Sequence, residues 1–85
     1  MYIYADLKPE LFTNKGQRQL IKIRDHVRDL LSRAGAVRMR EAISVANGDS
    51  WTALACIDRM VELGELREVP RNSPATQHRI FVAVD

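Results

Sequence analysis

Apolar residues recur at three- and four-residue spacing through Leu20, Ile23, Val27, Leu30, Leu31 and Ala34. That period is the signature of a helix with one buried face. Asn14 followed by Gln17 has the form of a capping box and predicts the helix start. Gly35 falls where a left-handed C-terminal cap is expected, so the helix spans 14–34. Asp25 with Arg28 and Asp29 with Arg33 add acid-first pairs on its outer side. Ala36-Val37-Arg38 reads as a stub of strand. A second helix is expected over 39–46, with Ala42, Ile43 and Ala46 inward and Asn47-Gly48 as its break. A third, over 50–63, is capped by Asp49 or Ser50 and buries Ala53, Ile57, Met60 and Val61. After Gly64 the period changes from 3.6 to 2. Leu66–Val69 and Arg79–Val84 read as two strands joined by the turn-rich run 70–77, a hairpin over 66–84. An isolated hairpin is unstable in water, so it must pack on the helices.

The start of the chain is less patterned. Met1–Ala5 alternates, with Tyr2 and Tyr4 on one side and Ile3 on the other, and reads as a short strand. Pro9 separates it from the first helix, and residues 6–13 read as a connector. At 85 residues there is room for one domain. It divides into an extension (1–13), a helical core (14–64) and a hairpin (65–85), giving an α+β fold of three helices and a C-terminal hairpin.

The run from Val37 to Val84 resembles the winged helix-turn-helix pattern of bacterial regulators. The matching pieces are Arg40-Glu41-Ala42-Ile43, the turn 46–50, the stretch from Ile57 to Leu66, and the hairpin. With the first helix, the resemblance covers about 70 residues. It implies that the third helix enters the major groove of DNA and that the hairpin loop, the wing, touches phosphate or the minor groove. Carried onto this chain, the implied DNA contacts are Arg38, Arg40, Ser50, Trp51, Thr52, Arg59, Arg71, Asn72, Thr76, Gln77 and Arg79. Arg59 would read guanine by a two-armed contact.

Charge complicates that expectation. The net charge is only +2. From Asp49 to Gly64 there is one cation, Arg59, against Asp49, Asp58 and Glu62. Phosphates dominate affinity for DNA, so an acidic reading helix is costly. The positive charge lies elsewhere. Eight Lys or Arg fall between Lys15 and Arg40, against Asp25 and Asp29, and the wing region adds Arg67, Arg71 and Arg79 beside His78. The basic residues of the first helix read as a solvated face, and those of the wing as contacts to phosphate. Trp51, on the outer side of the third helix, either marks a partner surface or is covered by Tyr2, Tyr4 or the 6–13 connector. Leu54 lies at the edge of the buried stripe and would extend that surface.

Two functions follow as expectations. The first is a DNA-binding protein, a small transcriptional regulator using the third helix and a basic wing. The second is a protein-interaction module on the same scaffold, using the acidic and apolar outer face of that helix through Trp51 and Leu54. A homodimer would form through helix 14–34 or by edge pairing of the Met1–Asp6 strand. The sequence offers no sign of an enzyme: it has no nucleophile elbow, no phosphate-cradling loop and no carboxylate pair in a recognisable setting. Cys56 is the single cysteine and reads as a buried, inert thiol. His26 and His78 lack partners at metal or catalytic spacing, so neither metal nor cofactor is expected. Met1–Asp6 has no signal-peptide character and no apolar run approaches the ~20 residues that span a bilayer, so the expected compartment is the cytoplasm, away from membranes.

Overall fold

A computed structural model of the chain describes residues 1–46, 50–70 and 78–84. The elements in order are α1 (Tyr4–Leu7), a 3₁₀ turn (Lys8–Phe12), α2 (Asn14–Ala34), β1 (Ala36–Arg38), α3 (Met39–Ala42), α4 (Ser50–Glu62), β2 (Leu66–Val69) and β3 (Ile80–Ala83). The fold is α+β: four helices and a three-stranded antiparallel sheet in the order β1-β3-β2.

Helix α2 is the spine. Its apolar stripe is buried as its period requires, through Leu20, Ile23 and Val27. The cap lies one residue earlier than expected. Thr13 is extended, and its hydroxyl accepts from the Gly16 N–H at 3.0 Å. Gln17 instead donates to the Leu11 carbonyl, which ties the 3₁₀ turn to the helix. Gly35 closes α2 at φ 77°, its N–H donating to the Leu31 carbonyl.

The N-terminal segment departs most from expectation. It holds no strand: α1 starts at Tyr4 and Pro9 sits in the first turn of the 3₁₀ helix, where a missing N–H costs nothing. Three alternating residues are too few to fix a strand without a partner edge. With no strand there, the expected edge-paired dimer loses its means. Nor are residues 6–13 a mere connector, because Leu11 is fully buried in the core.

Helix α3 is also shorter than the expected 39–46. After Ala42 the chain goes into tight turns: Ser44 N–H bonds back to the Glu41 carbonyl and Ala46 N–H to that of Ile43. The Ser44 hydroxyl also donates to the Glu41 carbonyl at 2.8 Å, competing with helical bonding. The expected break at Asn47-Gly48 and a cap at Asp49 lie outside the described residues.

The C-terminal strands are not a free-standing hairpin. β3 is the centre of the sheet, pairing with β2 on one edge (Glu68 opposite Phe81) and with β1 on the other (Val37 opposite Phe81). The strand stub Ala36–Arg38 is therefore the third strand, and it satisfies an edge that a hairpin would leave open. Val37, Leu66 and Phe81 point from the sheet into the core against Ile23, Val27, Ile57 and Met60.

Candidate nucleic-acid interface

Helix α4 is buried on more than one side. Ala53, Ile57 and Met60 face the core as expected. Yet Ala55, on the stripe Trp51–Ala55–Asp58–Glu62 that points away from them, is also fully buried. The cover is the N-terminal segment: α1 and the 3₁₀ turn both pack on α4. Leu54 is buried as well, at 9% exposure, and does not extend an outer apolar surface. The Cys56 thiol is sealed in the core, and burial pushes its pKa up to about 11.

The acids of α4 have partners within the fold. The Tyr2 hydroxyl donates to Asp58 Oδ2 at 2.6 Å, and Arg79 Nη2 reaches Asp58 Oδ1 at 2.8 Å. Glu62 accepts from Tyr4 Oη at 3.0 Å, from Lys8 Nζ at 3.0 Å and from Arg59 Nη1 at 2.6 Å. Glu68 on β2 completes the cluster, taking Arg79 Nε and Nη2 at 2.9 and 2.7 Å. Asp58, Glu62 and Glu68 thus face Lys8, Arg59 and Arg79, so the cluster carries no net charge. The acidity that Asp58 and Glu62 bring to α4 is cancelled where it arises, while Asp49 lies outside the described residues.

The same pairing removes two expected contacts. Arg79 is no outward wing donor: its side chain is 15% exposed, grips two carboxylates and lies over the Phe81 ring at 5.1 Å. The carboxylates of Glu68 and Asp58 raise its pKa further, against the effect of burial. Arg59 is bound to Glu62 and stacked on Phe12 at 5.4 Å, so it is not extended toward a base. Sequence reasoning missed Tyr2, Tyr4 and Lys8 as partners. The available signal was the four-residue spacing of Asp58 and Glu62, which puts two acids on one face that needs donors.

The remaining candidates divide in two. Arg38 and Arg40 are exposed, and the start of α3 is tied to the entry of β3 by the Met39 N–H donating to the Arg79 carbonyl at 2.7 Å. The Arg38 backbone N–H donates to Glu41 Oε1 at 3.3 Å. Ser50 is exposed, Trp51 is 44% exposed and Thr52 is partly covered in the first turn of α4. Arg71, Asn72, Thr76 and Gln77 lie outside the described residues. Among the described residues, Arg38, Arg40 and Arg67 form no ion pair, nor do Lys15, Arg18 and Lys22 on the solvated side of α2. His26 is a boundary residue that clips α2 to α3, its Nε2 lying 3.0 Å from the Glu41 carbonyl and 3.2 Å from the Ser44 hydroxyl.

Three hydrogen-bond donors hold the Glu62 carboxyl well below its ordinary 4.5, down to about 2, Lys8 contributing most. The Tyr4 phenol moves the other way, to about 12, through burial and then its bond to Glu62. A depressed carboxylate stabilises the fold fully above its unfolded pKa and loses that contribution as pH falls through the folded value. The attachment of α1 is therefore expected to hold at pH 5 and to weaken from about 4.5 toward 2. Carboxyl titration by NMR checks this. A Glu62 midpoint near 4.5 would mean that Lys8, Arg59 and Tyr4 do not converge on it in solution.

Among the described residues no cluster of His, Cys, Asp and Glu could hold a metal ion, and no helix is long and apolar enough to cross a membrane. The geometry thus defines a small α+β domain with a self-neutralised α4 and a separate set of exposed arginines. No protein-family model matches the chain, and neither the curated proteins nor the solved structures contain a match to it.

Proposed function

We propose that the chain is a winged helix-turn-helix domain that binds duplex DNA as a small transcriptional regulator. Support for the fold comes from the order α2-β1-α3-α4-β2-β3 with the middle strand last in sequence. One observation carries the function. The cations left over after internal pairing among the described residues include Arg38, Arg40 and Arg67. Arg38 lies opposite Ile80 at the start of β3, and Arg67 is on β2, the strand before residues 71–77. Those residues add Arg71, Asn72, Thr76 and Gln77 by sequence. Cations and amide or hydroxyl donors are what phosphate contacts use, and they fix position rather than sequence. Exposed Ser50, with Trp51 and Thr52 next to it in the first turn of α4, would meet bases. Regulation would act by occupancy of a site.

The test is binding of a labelled mixed-sequence duplex by fluorescence anisotropy over a range of salt. Log affinity is expected to fall linearly with log salt. Arg38→Ala and Arg40→Ala are each expected to reduce that slope by about 1 and to weaken binding alike on all sequences. Absence of binding at low salt sinks the proposal. A second reading, a protein partner, is favoured only by the exposure of Trp51, since Leu54 is buried. Trp51→Ala then abolishes partner capture and leaves the salt slope intact.

A further inference from the structure

The outer stripe of α4 is closed beyond its first turn by the chain's own N-terminus. Tyr2 is bonded to Asp58, and Tyr4 and Lys8 to Glu62. Ala55, one turn ahead of Asp58 on the same stripe, is sealed. A major groove about 12 Å wide admits one α-helix, itself about 10–12 Å across with its side chains. Helix α4 with α1 laid along its outer stripe is two layers thick and does not fit.

The cover is held unevenly. α1 is four residues long, has no buried residue and has no side-chain cap at its N-terminus. A helix that short has no stability of its own. Its grip comes from two phenol hydroxyls, one exposed ion pair and the partly buried side chains of Tyr2, Tyr4 and Leu7, while Met1 and Ile3 stand in solvent. The next residues are fixed. Leu11 is fully buried, its carbonyl is held by Gln17, and the Glu10 backbone lies against Gly16. The boundary between releasable and anchored chain falls at Pro9.

We infer that residues 1–8 are a displaceable cover over the face of α4 beyond its first turn, and that this face enters the groove only when the cover leaves. The inference rests on the DNA-binding reading above. Its consequence is a protein that holds DNA weakly through its arginines and the first turn of α4 when covered and gains further base contacts when uncovered. Departure of the cover takes Tyr4 and Lys8 from Glu62, and a carboxylate accepts from the cytosine amino group. Uncovered α4 therefore favours G·C pairs.

The probe is a G·C-rich duplex at fixed low salt, titrated with three proteins. The full-length Tyr2→Phe/Tyr4→Phe variant keeps every charge and both rings and loses only the two hydroxyls. It is expected to bind several-fold more tightly than the parent. A chain lacking residues 1–8 is expected to gain about tenfold, the factor for a competent state populated one time in ten. If that deletion does not unfold cooperatively, the full-length variant decides alone. Equal or weaker binding by the variants, with the parent still binding, overturns the cover and leaves the DNA reading standing. No binding by any of the three overturns both.

Discussion

An Arg79→Ala variant is expected to lose about 2–3 kcal/mol of stability, the cost of stranding a mostly buried carboxylate and a half-buried one, discounted for the solvent at Glu68. The guanidinium ties β2 to α4 by ion pairs, through Glu68 on one side and Asp58 on the other. Truncation leaves two acids facing each other across the gap and strips the cation from the Phe81 ring. For a domain of this size the loss moves the thermal midpoint down by about 10–20 °C. Adding Asp58→Asn removes one of the stranded charges and is expected to recover part of the loss. Chemical denaturation checks both. A phosphate contact behaves differently: its removal lowers affinity for DNA and leaves the denaturation midpoint unchanged. That pattern in Arg79→Ala would contradict the role assigned here.

Gly16→Ala is the second large effect, and two terms compete in it. Alanine improves the intrinsic helix propensity by about 1 kcal/mol. Against that, the added Cβ would stand 2.0 Å from the Glu10 carbonyl oxygen and 2.8 Å from Leu11 Cα. Both are backbone atoms, so no side-chain rotation relieves the clash. Overpacking costs about 1–3 kcal/mol where the surroundings can shift, and more where they cannot. The clash wins, with a net loss of about 2 kcal/mol or more. The 3₁₀ turn must move away from α2, and Leu11 leaves the core with it. Equilibrium unfolding in urea reads this directly. A midpoint at or above that of the parent would mean that residues 8–12 do not pack on α2.

The long periodic elements were legible from the chain. Helices α2 and α4 and strand β2 lie within a residue or two of their expected bounds, because several apolar positions at one period leave little freedom. Helix α3 was overextended, since nothing local announces that Ser44 will take the Glu41 carbonyl. Met1–Ala5 was misread because an alternation of Tyr2, Ile3 and Tyr4 fits either element until a partner exists. The partner is α4, more than fifty residues away in sequence.

The candidate interface was only half legible for the same reason. Arg38 and Arg40 are exposed and form no ion pair among the described residues. Arg79 and Arg59 look identical to them in sequence. What distinguishes them is the fold, which brings Asp58 and Glu68 to Arg79 and lays Phe12 under Arg59. A net charge on a segment says little about the field it projects, because Asp58 is answered by Arg79, just ahead of β3, and Glu62 by Arg59 and the N-terminus.

Amide chemical-shift mapping of the intact protein with a mixed-sequence duplex tests the DNA-binding reading most directly. The largest shifts are expected at Arg38, Arg40, Ser50–Thr52, Arg67 and residues 71–77, while Asp25, Asp29 and the C-terminal half of α2 stay still. Shifts that are absent at low salt, or confined to α2, would contradict it.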